Sequence, residues 1–154
     1  MFGHPLHPIA VHLPIALLIG GVLIDVASVW RIAWRNAGFT HLVFGTVGVL
    51  VALLTGIGDA YSVPAGGADA LLQCHTNSAI LATLVFGLMA AGRTYFRLRH
   101  KRSGAAGDPE ATVPAGRGAV YFALAAAGVA LIVVTGYTGG ELVYGQGVGT
   151  IAGR

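Results

Sequence analysis

Four apolar runs, each about as long as a bilayer core is thick, constrain this chain more than any other feature. A hydropathy window of about 19 residues places them at residues 9–30, 41–61, 74–92 and 119–137. Each run is close to the roughly 20 residues with which an α-helix crosses a membrane. Four such runs in 154 residues leave too little polar surface for a water-soluble fold. We therefore predict an all-α, integral-membrane, up-down-up-down four-helix bundle, with residues 1–154 as a single domain.

The composition agrees with a membrane bundle. Hydrophobic residues make up 55% of the chain and charged residues 10%, whereas soluble domains contain roughly 25% charged residues. Most of the 24 glycines lie inside apolar runs, where small residues let transmembrane helices approach closely. The single cysteine, Cys74, excludes a disulfide or a C-x-x-C site within one chain.

Basic residues are concentrated in two connections, which predicts the orientation. Eight of the nine Lys and Arg residues follow the first run or the third: Arg31, Arg35, Arg93, Arg97, Arg99, Lys101, Arg102 and Arg117. By the positive-inside rule these connections, including a flexible connector at 98–117, face the cytoplasm. The protein is thus predicted to be a multi-pass protein of the bacterial inner membrane with both termini periplasmic. Because the basic residues flank apolar runs, we expect no nucleic-acid partner.

Most of the unusual polar residues gather at the predicted periplasmic end of the bundle: His4, His7, His12, Asp59, His75 and Glu141. Ionisable residues at membrane depth are functional hypotheses by default. Counting about 20 residues back from Arg31 and from Arg93 places His12 and His75 at nearly the same depth. The matched depth predicts that these two imidazoles share a ligand.

Other features of the runs predict structural roles. Asp25 lies near the cytoplasmic end of the first run, within reach of Arg31 or Arg93, and is expected to form an ion pair that stabilises the bundle. His41 and His100 lie at the same interface, where contact with headgroups explains them. No internal repeat is evident, because the pairs of runs share an orientation but no motif.

The first hypothesis for the shared ligand is haem b with His12 and His75 as axial ligands. The first and third helices run parallel and lie diagonally opposite at about 12–14 Å, which suits two imidazoles on one iron. Asp59 or Glu141 would accept a hydrogen bond from the other ring nitrogen of a ligand histidine. Because such a haem has no open position, electron transfer is expected rather than turnover of a substrate.

Two alternatives stay open from the residues alone. A non-haem iron, zinc or copper ion could use the same nitrogen and oxygen donors, with His4, His7, Asp59 and Glu141 as alternative ligands. The histidine spacing matches no standard ligand pattern. The chain could instead be a structural accessory subunit of a larger membrane complex.

Four segments resemble, in order, the pattern of a bacterial four-helix integral-membrane family of unknown function. They are HPLHPIAVHLPIAL, TGIGDAY, CHTN and GYTGGELVYGQGVG. The polar landmarks of that family match His4, His7, His12, Asp59, His75 and Glu141. Its members are sometimes fused to Rieske-type iron–sulphur domains, so the resemblance implies a redox setting and favours haem over a bare ion.

The resulting hypothesis is a membrane-bound b-type haem protein that transfers electrons near the periplasmic face. His4 and His7 would line the edge of the site. A quinol, Rieske or cytochrome partner would be a separate protein, because this chain has one cysteine. Contact with membrane lipid is expected throughout, and small residues such as Gly45 and Gly48 allow a homodimer.

Overall fold

The computed structural model describes residues 7–60, 68–104, 106–107 and 115–148, which are almost wholly helical and contain no strand. The elements are α1 (His7–Ala10), α2 (His12–Ala27), a 3₁₀ turn (Ile32–Trp34), α3 (Arg35–Ala60), α4 (Asp69–Arg102), α5 (Ala115–Gly140) and a π-helical turn (Glu141–Gly145). The prediction of an all-α fold with four principal helices is confirmed.

A proline separates α1 from α2. Pro14 has no N–H, and the ring of a proline inside a helix clashes with the carbonyl four residues earlier, here that of Ala10. The α1 helix ends at that residue, and α2 begins after Val11. The Val11 N–H still donates to the His7 carbonyl at 3.2 Å, so α1 continues the path of α2 as one additional turn.

The helices pack in a ring, with each principal helix against the next along the chain and α2 against α5. Consequently α2 and α4 lie diagonally across the bundle and run in the same direction. Leu18 of α2 and Phe86 of α4 are the largest fully buried side chains. Gly45 faces Leu18 and Gly128 faces Phe86, where an added Cβ would lie 2.7 and 2.8 Å from the respective side chain. Glycine at these two points therefore lets the neighbouring helices approach.

Three helical segments are long and apolar enough to cross a membrane: Ile32–Gly58, Asp69–Arg102 and Gly118–Gly145. The α2 helix is also apolar but has 16 residues. Together with α1 it extends from residue 7 to residue 27, about 31 Å at 1.5 Å per residue. Large apolar side chains are exposed around the bundle, as expected for a surface in contact with lipid: Leu13, Leu23, Leu54, Leu88 and Tyr137. That the first run also crosses the membrane stays a prediction.

The helices are longer than the apolar runs that predicted them. The α4 helix begins at Asp69 and continues to Arg102, so residues 98–102 of the predicted connector are helical. Lys and Arg are good helix formers and are favoured in the last turn of a helix, where they complement its dipole. Hydropathy therefore locates the membrane segment but not the end of the helix.

Candidate functional site

His7 is held against the adjacent helix α3. Its Nδ1 lies 2.8 Å from the Ala52 carbonyl oxygen, a distance at which Nδ1–H donates to the carbonyl. The ring packs on Gly56, where an added Cβ would lie 2.9 Å from both Cε1 and Nδ1. The hydrogen bond fixes the tautomer of the neutral ring and places the lone pair on Nε2.

His75 has the same arrangement on α5. Its Nδ1 donates to the Thr135 carbonyl at 2.9 Å, and the Thr138 hydroxyl lies 3.3 Å from the same nitrogen. The ring packs on Gly139, where an added Cβ would be 3.0 Å from Cε1. In the neutral ring the lone pair is again on Nε2, the atom with which an imidazole so anchored would bind a metal.

The two imidazole rings meet across the diagonal of the bundle. Their centroids are 5.9 Å apart, and their planes are at 89°. With metal–nitrogen bonds of about 2.0–2.1 Å, two imidazoles on one ion place their centroids about 5 Å apart for a tetrahedral angle and about 6.4 Å apart for a linear one. The separation of His7 and His75 falls within that range. We call this end of the bundle the histidine end.

Constant sequence offsets relate the two halves of the bundle. His75 lies 68 residues after His7, and Phe86 lies 68 after Leu18. On the partner helices the offset is 83, and it relates three further pairs: Ala52 and Thr135, Thr55 and Thr138, and Gly56 and Gly139. The hairpin of α4 and α5 therefore repeats that of α1, α2 and α3. The expectation of no internal repeat was wrong, because the equivalence involves contact positions whose residue types mostly differ.

The other sequence-predicted site residues lie apart from this pair or outside the described residues. The His12 side chain is exposed. Glu141 is also exposed, and its carboxylate lies against Gly145. His4 and the side chain of Asp59 lie outside the described residues. His75 is therefore joined by His7, an alternative ligand of the sequence-based hypothesis, whereas the place of His12 as a ligand stays a prediction.

Within the described part of the chain, no group of three or more His, Cys, Asp or Glu side chains could hold a metal ion. Cys74, next to His75, is exposed. The described residues thus supply two anchored imidazoles to a ligand at the histidine end.

A second polar cluster joins the same diagonal helices at the opposite end of the bundle, which we call the arginine end. Arg93 of α4 forms a salt bridge of 2.7 Å with Asp25 of α2, and both side chains are nearly buried. The Tyr121 hydroxyl donates to the same carboxylate and accepts a hydrogen bond of 3.1 Å from Arg93. Arg93 also donates to the Arg35 carbonyl at 3.1 Å. The sequence-based expectation of an ion pair at Asp25 is confirmed with Arg93 as the partner.

The two clusters occur at equal spacing on parallel helices. Asp25 follows His7 by 18 residues, and Arg93 follows His75 by 18 residues. Eighteen residues are five turns of an α-helix, so both members lie on the same face, about 27 Å apart along the axis. This separation approaches the roughly 30 Å of a bilayer core. The pairing of His7 with His75 was missed from the sequence, although this matched spacing was available to indicate it.

The fold and the position of its polar clusters define a helical integral-membrane protein with one polar site near each membrane surface. The chain belongs to the family described as predicted membrane protein (DUF2231), which matches residues 3–152. No curated protein and no solved structure matches the sequence. The family assignment agrees with the resemblance seen in the sequence motifs.

Proposed function

We propose that the protein is a membrane-bound b-type haem protein that transfers electrons at the histidine end, with His7 and His75 as axial ligands. The observation that carries the proposal is the pair of imidazoles 5.9 Å apart, each with its Nδ1 on a backbone carbonyl of the adjacent helix. This second hydrogen bond is the usual support of a metal-bound histidine, because it fixes the tautomer and the ring orientation.

The number of donors favours haem over a bare ion. Haem iron takes four nitrogens from the porphyrin and at most two ligands from the protein. A non-haem ion such as zinc takes three or four ligands from the protein, and the described residues contain no group of three. The non-haem hypothesis would therefore draw on residues such as His4 or Asp59.

The protein contributes ligand orientation and a site for one-electron chemistry. Bound haem supplies a one-electron couple, and with two histidine ligands it has no position for a substrate. The Ala52 and Thr135 carbonyls hold the rings, and hydrogen bonding to Nδ1 raises the basicity of Nε2. Leu18 and Phe86 fill the core between the two ends, which favours electron transfer over passage of an ion along the bundle.

The proposal includes an orientation and a class of redox partner. The arginine end would face the cytoplasm by the positive-inside rule, so the histidine end would face the periplasm. Electrons would then pass between a quinol or membrane partner and a periplasmic acceptor. A Rieske or cytochrome protein fits this class, in line with the resemblance noted for the sequence.

Absorption spectra of the detergent-purified protein, oxidised and then reduced with dithionite, test the proposal. We expect a Soret band and a sharp α band in the reduced protein. His7→Ala and His75→Ala should each remove them. His41→Ala and His100→Ala are matched controls that should keep them, because His41 bonds within its own helix and His100 bonds to Gly107.

The same experiment separates the remaining hypotheses. Loss of haem in His12→Ala with retention in His7→Ala would return the ligand assignment to His12. A featureless spectrum with stoichiometric iron, zinc or copper would contradict haem and support the non-haem site. Protein free of both, from cells supplied with haem and metals, would support a structural accessory subunit.

A further inference from the structure

The connection between α2 and α3 exposes an unusual density of apolar surface. Its sequence from residue 29 to residue 35 is VWRIAWR, whose only charged residues are Arg31 and Arg35. The exposed fractions are 60% for Val29, 78% for Trp30 and 59% for Ile32. Four large apolar side chains, including Trp34, would be unfavourable in water, and tryptophan is enriched at the headgroup level of membranes. The connection therefore lies in the interface and brings Arg31 to the depth of lipid phosphates.

The α4 helix extends into the same region. It has 34 residues, about 51 Å at 1.5 Å per residue, which exceeds the roughly 30 Å of a bilayer core. The excess at the arginine end is RTYFRLRHKR, residues 93–102. Its basic side chains Arg99, Lys101 and Arg102 are exposed, and Tyr95 is 58% exposed.

The charge at this end is not balanced by the described residues around it. Asp25 is the acidic residue of the described part of the arginine end, and it is bonded to Arg93 and Tyr121. Arg97 donates to Asn36 at 2.7 Å. Four exposed basic residues remain as a surface of positive charge beside the exposed tryptophans: Arg31, Arg99, Lys101 and Arg102.

We propose that this surface, which we call the basic surface, binds the headgroups of anionic phospholipids. Guanidinium groups match phosphate oxygens with two parallel hydrogen bonds. A cluster of basic residues directly after a transmembrane helix is typical of anionic lipid binding, with each Lys or Arg contributing about fivefold in affinity. The basic surface has four such residues at one depth. The inference is independent of the haem at the histidine end.

Native mass spectrometry of the full-length protein in a neutral detergent tests the proposal, with short-chain phosphatidylglycerol as the anionic probe and phosphatidylcholine of equal chain length as the control. We expect preferential binding of phosphatidylglycerol. The variant R99Q/K101Q/R102Q should lose about 100-fold in affinity for it, from about fivefold for each charge. The variant R99K/R102K keeps the charge and should lose much less. In both variants the Asp25–Arg93 pair is untouched, and an unchanged absorption spectrum checks the histidine end.

Two outcomes would overturn the inference. Equal binding of the two lipids by the wild-type protein would show that the surface does not distinguish headgroup charge. Unchanged phosphatidylglycerol affinity in R99Q/K101Q/R102Q would show that lipid binds elsewhere, and would leave an acidic protein as the occupant of the basic surface.

Discussion

Gly139→Ala tests the most specific element of the histidine end. An added Cβ would lie 3.0 Å from Cε1 of His75 and 3.2 Å from its Nδ1, whereas carbon atoms in contact prefer about 3.5–4.0 Å. The ring must therefore move by roughly 0.5 Å, and its hydrogen bond to Thr135 at 2.9 Å would weaken. Overpacking costs about 1–3 kcal/mol, and the lost hydrogen bond costs about 1 kcal/mol. The better helix propensity of alanine offsets up to about 1 kcal/mol.

We therefore expect Gly139→Ala to lower the free energy of unfolding by about 1–2 kcal/mol and to reduce haem occupancy. Gly136→Ala is the matched control, because its Cβ would meet no atom within 4 Å and should raise stability by up to about 1 kcal/mol. Denaturation in mixed detergent micelles measures stability, and the ratio of Soret to protein absorbance measures occupancy. Equal stability and equal haem content in the two variants would refute the assigned role of Gly139.

Further predictions concern the equivalent half-site, the arginine end and the core. Gly56→Ala should reduce haem occupancy as Gly139→Ala does, because its Cβ would lie 2.9 Å from the His7 ring. Asp25→Asn leaves the buried Arg93 guanidinium without its counter-charge and should cost about 3–5 kcal/mol, whereas Tyr121→Phe should cost about 1.5–3 kcal/mol for one bond to a charged group. Phe86→Ala should cost about 3–5 kcal/mol. Detergent denaturation measures each, and an Asp25→Asn variant as stable as wild type would contradict the account of the cluster.

The fold was largely predictable from hydropathy. Run lengths of about 20 residues correspond to helices because every backbone polar group in lipid must be satisfied within the segment. The pairing of Asp25 with Arg93 was also predictable, since both lie near the same membrane surface and a buried charge needs a partner. What hydropathy could not indicate is where each helix ends, because the polar ends of α4 remain helical beyond the bilayer.

The choice between His7 and His12 shows the limit of counting residues for depth. Counting gives the height of a residue along a helix but not the side of the helix on which it lies. His7 and His12 are five residues apart, which places them on different faces of a helix. Pro14 also ends the preceding turn at Ala10, so a straight helix does not describe this segment. The face toward the bundle interior is instead identified by the 18-residue spacing to Asp25.

The repeat within the chain explains why the two ends carry different kinds of pair. Residues at equivalent positions of two hairpins meet across the centre of the bundle, as His7 meets His75 and Asp25 meets Arg93. At the arginine end the equivalent residues have opposite charge, so they bind each other directly. At the histidine end they are alike, and both use Nδ1 on the carbonyl of their own hairpin. Two equivalent imidazoles suit a ligand whose binding positions are themselves equivalent, and the two axial positions of a haem iron are such a pair.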